Sequence, residues 1–369
     1  MKMDLPDRIF LIVFGILLFV PMLHINQAEF SKREKRRLAV FPTLITENGI
    51  NATYGKNFES WFDDRFFLRK QIIHLFDKYR YSLSMNENRK ALIGKDDWAF
   101  FKGDNSVSNY QNATLLSQDE LEKITANLND IQNFAKQNNQ RFVFLIGPDK
   151  NKAYGEFFPE KYKKQRPDSE SRTTQLLNYL KLHSDVRAVY PLDVIKADKD
   201  KGLLYYKNDT HWNDLGAYLA YKEMMKAVGK PPVEVDFQPK VRGGGNGDIS
   251  SMIRLKKSVY SGIKYPTIAT PLSGQCKTIG KTTLGNDNFL CTNPNKKGKA
   301  IVFRDSFTEA LQPYLAETFN EVKLYWHHNI KDINPSELKQ YDIIVLEAVE
   351  RAVPRLTEMR EKNSCFFHP

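Results

Sequence analysis

Three side chains in this sequence stand where acyl transfer could use them: Asp209, His211 and Ser306. The stretch YYKNDTHWND, 205–214, sets Asp209 and His211 two positions apart, follows the apolar run Leu203–Tyr206 and leads straight into Trp212. If that run is a strand, alternation sends both side chains to the same side. The carboxylate can then orient the imidazole as a general base. The candidate nucleophile comes ninety-five residues later in VFRDSFTEAL, where Ser306 closely follows the apolar strand Ile301–Phe303. A serine at the carboxyl end of a strand, opening a helix, is where acyl-transfer enzymes place one. Each piece also has a plain structural reading. Asp-x-His occurs in surface loops and as half a metal site, and a serine at a helix start is commonly an N-cap. Donors for a tetrahedral oxyanion would be the main-chain N–H of Ser306 and Asn246 or its neighbours in GGGNGD, 243–248, which also reads as a flexible turn.

The elements that must carry these residues alternate. Ser117-Gln-Asp-Glu is a capping box, and Leu121, Ile124, Leu128 and Ile131 mark one helical face after it. Strand Arg141–Ile146 follows, then helix Leu176–Leu182 and strand Arg187–Tyr190. A helix over Asn213–Val228 starts just after the His motif. Helix Phe307–Phe319, strand Glu321–Trp326, a helix start at Asn334-Pro335 and strand Tyr341–Leu346 complete the series. This order predicts an α/β sandwich with a mostly parallel sheet, whose ligands sit at the carboxyl ends of the strands. Gly94–Phe101 reads as a turn plus strand, Phe58–Tyr81 as mostly helical, and 255–298 as hairpins or loops. Glu347 and Arg351 follow the last strand and could brace the site, most simply as a structural salt bridge.

Composition bounds the setting. Hydrophobic residues at 41% and charged residues at 27% are ordinary for a globular chain. The net charge of +11 suits a polyanion or an anionic surface. With no zinc finger, basic zipper or RNA-binding sheet motif, nucleic acid is not the expected partner. Residues 9–25, IFLIVFGILLFVPMLHI, carry no charge and are about as short as a bilayer-spanning helix can be. They read as an uncleaved anchor. A cleaved signal peptide is the rival reading, with a poor first residue in its Asn26-Gln27-Ala28 site. By charge counting alone, the basic SKREKRR, 31–37, argues for a cytoplasmic body. Cys276 and Cys291 bracket a hairpin-like stretch that an oxidising compartment would bridge, leaving Cys365 over. His327 and His328 are adjacent, so their side chains diverge, and no metal is expected.

Further stretches carry a family likeness: GDISSMI at 247–253, PDKNKAYGEFFP at 148–159, IGKDDWAFF at 93–101 and FESWFDDRFFLR at 58–69, beside DTHWND and FRDSF. With these the chain resembles the AlgJ/AlgX family of polysaccharide O-acetyltransferases, which carry an SGNH-hydrolase-like domain of the DHHW group. The likeness covers most of the chain from about residue 30 onward. It implies a three-layer SGNH-hydrolase-like sandwich in circularly permuted motif order, behind one N-terminal transmembrane helix. The implied division is an anchor over 1–25, a stalk and helical lead-in over 26–90, and a catalytic domain over 91–369.

The resemblance makes Ser306 the nucleophile, His211 the base and Asp209 the orienting carboxylate. Lys150 and Tyr154 match the family's Pro-x-Lys…Tyr segment and would line the substrate cleft with Trp212 and Asn246. Arg304 departs from the small residue that related motifs often have. The implied activity is acetyl transfer onto an extracytoplasmic polysaccharide, alginate-like or another envelope glycan. No cofactor is expected, because a partner, a membrane acyltransferase of the MBOAT class, delivers the acetyl group. The implied location is the periplasmic side of the inner membrane. An O-acetylesterase with the same triad and a non-catalytic glycan-binding or assembly protein are the alternatives.

Overall fold

The computed structural model describes residues 4–19, 25–31, 36–47, 49–67, 69, 71–72, 75, 87, 90–162, 169–242, 247–253, 257–283, 285–327, 330 and 333–359. The chain divides into two compact units, one of residues 1–88 with 251–254, the other of residues 89–250 with 255–369.

In the first unit, helix α1 spans Leu5–Phe19 and helix α2 spans Tyr54–Arg65. Among the described residues no helix is long and apolar enough to cross a membrane. The end of α2 is tied to the segment after α1. Arg65 donates from Nε to the Ala39 oxygen at 2.9 Å and from a terminal nitrogen to the Asn26 oxygen at 2.7 Å, while Asp64 accepts from the Ala39 N–H at 2.8 Å. The helix stops at Arg65 because Phe66 turns to extended backbone. Beyond that break Arg69, Gln71, Ile72 and Leu75 are helical again, as expected, and the rest of the predicted run from 68 to Tyr81 lies outside the described residues.

The second unit is built on one seven-stranded sheet. Its strands in chain order are β1 (Arg141–Gly147), β2 (Arg187–Val189), β3 (Gln275–Lys281), β4 (Asp287–Thr292), β5 (Lys299–Arg304), β6 (Glu321–Trp326) and β7 (Ile343–Val349). Their order across the sheet is β3-β4-β6-β5-β7-β1-β2. From β6 to β2 every pairing is parallel; β4 and β3 add an antiparallel hairpin at one edge. A disulfide joins Cys276 to Cys291, which face each other across that hairpin.

Alternation along the central strands sorts side chains into two apolar layers. Val143, Leu145, Val302, Ile343 and Val345 pack with helix α5 (Asp214–Val228) and helix α6 (Gln312–Thr318). Phe142, Phe144, Ile146, Ile301, Phe303, Ile344 and Leu346 pack with helix α3 (Gln118–Gln137) and helix α4 (Arg172–His183). The result is the expected sandwich of helix, sheet and helix. The Ser117 capping box forms as read from the sequence, and Asn334 caps a short helix at Pro335.

Two local readings change. The run Leu203–Tyr206 is not a strand; it makes a single isolated bridge, Tyr205 to Trp212, and the residues between form a closed loop. The segment after Ser306 begins as a tight 3-10 turn over Ser306–Leu311, and α-helix starts only at Gln312, where Pro313 suits the first turn.

Candidate active site

Parallel strands end together, so β1, β5 and β7 deliver the residues that follow them to one edge of the sheet. Asp305 and Ser306 follow β5, and Asp149 and Lys150 follow β1. The Asp209–His211 loop reaches the same edge from the side, held just ahead of α5. Asn213 caps that helix, accepting from the Gly216 N–H, and its own N–H donates to the Leu204 oxygen at 2.9 Å.

The three candidate residues form one hydrogen-bonded chain. His211 Nε2 lies 2.7 Å from Ser306 Oγ, and His211 Nδ1 lies 2.6 Å from Asp209 Oδ1. The same Asp209 oxygen accepts the His211 main-chain N–H at 3.1 Å. That turn, rather than strand alternation, is what brings the two side chains together. Asp209 is also steadied at its second oxygen by the Asp248 N–H at 3.3 Å and by Arg242 at 3.5 Å.

These contacts set the charges. Burial alone would raise the Asp209 carboxyl, but its bond to His211, the imidazole charge and Arg242 hold it well below the usual carboxylate range. Burial lowers the His211 imidazole, and the bond to Asp209 and its charge outweigh this, so the net shift is upward from 6.5. The proton on Nδ1 therefore faces Asp209, leaving Nε2 to accept from Ser306.

Asp248 is a second carboxylate at the base. It takes the Thr210 N–H at 2.8 Å and the Thr210 hydroxyl at 2.6 Å, and its Oδ2 lies 4.0 Å from His211 Nδ1. Burial and the charge of Asp209 raise its pKa. It belongs to the GDISSMI stretch, to which the sequence assigned no role. Asp209, His211 and Asp248 each offer one possible metal-ligand atom, all within 4.8 Å of one another. Those atoms are already bonded to each other, to Ser306 or to Thr210, and the arrangement reads as an oriented general base.

Lys150 lines the small cleft beside the site, whereas Tyr154 and Trp212 are buried away from it, and the polar groups of all three are held by protein partners. Lys150 is 3% exposed and donates to the main-chain oxygens of Tyr206, Lys207 and Asp209 at 3.0, 3.2 and 2.5 Å. Burial pushes its amine down to about 7, against the pull of Asp209 and Asp248. The three carbonyls match the three N–H bonds of the protonated form. Tyr154 accepts the Leu204 N–H at 2.9 Å and stacks on Trp98, and burial pushes its phenol up to about 12. Trp212 is fully buried and donates its indole N–H to the Phe307 oxygen at 2.9 Å, linking the base loop to the residue after Ser306. All three position the loop. Asn246 lies outside the described residues.

Behind the serine, Arg351 pairs with Asp149 at 2.6 Å and lies over the Phe307 ring. It does not pair with Glu347, as the sequence suggested. Arg304 is buried, donates to the oxygens of Asp305 and Asp287, and lies over the rings of Phe289 and Trp326. A small cleft is walled by Thr210, Lys150, Asp149, Asn151, Arg351, Ser106 and Phe101. Thr210 and Arg351 join it to the surroundings of His211 and Ser306.

Comparison with known proteins gives this geometry its relatives. Residues 91–261 match the family model described as the SGNH hydrolase-like domain of acetyltransferase AlgX. A probable alginate O-acetylase AlgJ of Pseudomonas syringae pv. tomato is 24% identical over 207 residues, covering 54% of this chain and 49% of that protein. Its counterpart in Pseudomonas putida is 24% identical over 216 residues, covering 56% and 53%. The chain thus spans about half the length of these relatives. Among solved structures, a DHHW family protein from Eubacterium siraeum superposes with a TM-score of 0.53 at 14% identity, covering 74% of this chain and 96% of that one. The fold is SGNH-hydrolase-like.

Proposed function

We propose that this chain, whose residues 91–261 match the family model of the AlgX SGNH hydrolase-like domain, is a polysaccharide O-acetyltransferase of the AlgJ/AlgX type working through Ser306, His211 and Asp209. The observation that carries the reading is the unbroken chain from Asp209 Oδ1 through His211 to Ser306 Oγ.

In the first half-reaction Ser306 Oγ attacks the acetyl carbonyl of a donor while its proton passes to His211 Nε2. The tetrahedral intermediate collapses, the donor's leaving group takes that proton and departs, and an acetyl ester remains on Ser306. In the second, a sugar hydroxyl gives its proton to His211 and attacks the ester. Ser306 leaves as the new O-acetyl bond forms and recovers the proton. Asp209 stabilises the imidazolium in both. Ser306 opens a helical turn, so its N–H has no intrahelical acceptor and serves as an oxyanion donor.

The acceptor in this reading is an extracytoplasmic polysaccharide, consistent with the alginate O-acetylase names of the relatives and the net charge of +11. The apolar residues 9–25 hold the chain to the outer face of the inner membrane. The donor is a membrane acyltransferase of the MBOAT class, with no cofactor needed.

The test follows acetyl from a small activated ester in the presence of envelope oligosaccharides, by mass spectrometry of the glycan and by free-acetate release. Water at roughly 55 M competes with the sugar, so transfer requires an oriented acceptor, whose effective concentration can reach about 10⁵ M or more. Wild type should acetylate sugar at the expense of acetate release, and Ser306→Ala should do neither. If pre-acetylated polymer is stripped and no oligosaccharide gains acetyl, the protein is an esterase.

A further inference from the structure

The nucleophile's main chain is gripped by a buried acid that is not part of the triad. Glu347 sits in β7 beside the end of β5 and is fully buried. Its Oε2 accepts the Asp305 N–H at 3.0 Å and the Thr308 hydroxyl at 2.8 Å. Those groups lie one residue before Ser306 and two after it. Asp305 completes the bracket: Oδ1 accepts the Phe307 N–H at 2.8 Å, and Oδ2 accepts the Val349 N–H at 2.7 Å.

We propose that Glu347 is the positioning residue of the nucleophile, fixing the backbone on both sides of Ser306 so that Oγ stays within reach of His211. The inference rests on Ser306 being the nucleophile.

Glu347 does this as a neutral acid. Its Oε1 is buried without a hydrogen-bond partner, directed toward Gly147 and the Phe307 ring. A bare carboxylate oxygen there would be costly. The charged groups facing it are Asp305, from the end of β5, and at longer range Arg304. Both Asp305 oxygens already accept N–H bonds. Burial first, and the Asp305 charge second, push Glu347 well above the usual carboxylate range. A neutral acid accepts the Asp305 and Thr308 hydrogens without placing a second negative charge behind the serine.

The full-length protein is compared as wild type, Glu347→Gln, Glu347→Leu, Thr308→Val and Ser306→Ala. Phenylmethanesulfonyl fluoride labelling of Ser306 is timed by mass spectrometry, and kcat and KM for p-nitrophenyl acetate are measured against pH. Gln is neutral and keeps an acceptor oxygen, so it should stay within about threefold of wild type. Leu should lower kcat and the labelling rate by ~10²-fold while KM moves little, because a displaced reacting atom costs rate rather than affinity. Thr308→Val, losing one of the two grips, should cost about tenfold. The acid limb set by His211 should stay in place in all three.

A Gln variant as impaired as Leu overturns the proposal, since the charge would then be required. So does full activity in Leu, or in Thr308→Val if Leu fails to fold. A wild-type chain that is not labelled at Ser306, or a Ser306→Ala chain that stays active, removes the nucleophile itself and is distinguishable from these results.

Discussion

The amine of Lys150, three residues beyond the end of β1, lies 2.5 Å from the main-chain oxygen of Asp209. A buried cation therefore closes the loop that carries the base, reaching it from the end of β1. Lys150→Met keeps the volume and removes three donors. We expect kcat for acetyl-ester hydrolysis to fall ~10²-fold, with KM little changed and a lower melting temperature. Steady-state kinetics and a thermal melt check it; a variant with wild-type kcat would show that the loop holds its shape unaided.

The pH dependence follows from His211. A protonated imidazole cannot take the serine proton, and its pKa is raised from 6.5, mainly by Asp209 working against burial. Activity should therefore fall as pH drops through a value above 6.5 and reach its plateau on the alkaline side. Asp209→Asn removes the main raising influence. Its acid limb should move to lower pH while the plateau drops by up to ~10⁴-fold. A pH–rate series on both proteins reads this directly, and an unmoved limb in Asp209→Asn would separate Asp209 from the base.

Gly247 is a close-approach position. A Cβ there would lie 2.0 Å from the main-chain oxygen of Asn208 and 2.6 Å from its carbon. Neither neighbour is a flexible side chain, so the two loops must separate, and they carry Asp248 and Asp209. Gly247→Ala should destabilise the protein by about 1–3 kcal/mol and lower kcat by roughly 10²-fold. Denaturant unfolding alongside kinetics checks both numbers. Unchanged stability would mean the loops yield easily.

The disulfide between Cys276 and Cys291 closes a loop of sequence separation 15 at the sheet edge. In the loop-entropy model it stabilises by about 3 kcal/mol. Cys276→Ser should lose about that much by denaturant unfolding while keeping acetyl-ester hydrolysis, since β3 carries none of the triad. Non-reducing peptide mapping of protein from its native compartment should find the pair joined; two free thiols there would contradict an oxidising location.

The sequence was most legible where periodicity and caps act locally. The Ser117 capping box, strands β1 and β6 and helix α5 could be read because each is specified by its own residues. The triad could be placed through the family likeness of DTHWND and FRDSF; of its members only Ser306 follows the end of a strand. What could not be read was the traffic between distant segments. Lys150 in a Pro-x-Lys segment looks like a solvated or substrate-facing lysine until the carbonyls of 206–209 close around it. Trp212 likewise looked like a cleft aromatic, and its partner, the Phe307 oxygen, is ninety-five residues away. Asp248 carried no visible role because its partner Thr210 lies 38 residues back. The apparent strand Leu203–Tyr206 misled because its apolar residues pack into the core from a loop.

The pairing of β7 with β1 joins residues 202 positions apart, as in Val349 with Gly147, and β7 also flanks β5. A nascent chain therefore carries serine, histidine and aspartate long before it has a reaction centre. Until the last strand slides between β5 and β1, the serine's strand has no fixed seat beside the loop of the base, and pairing of such distant segments comes late in folding. In the proposed reading, a polypeptide truncated before β7 would lack the strand that seats β5 beside β1 and so would hold Ser306 in no fixed place beside His211.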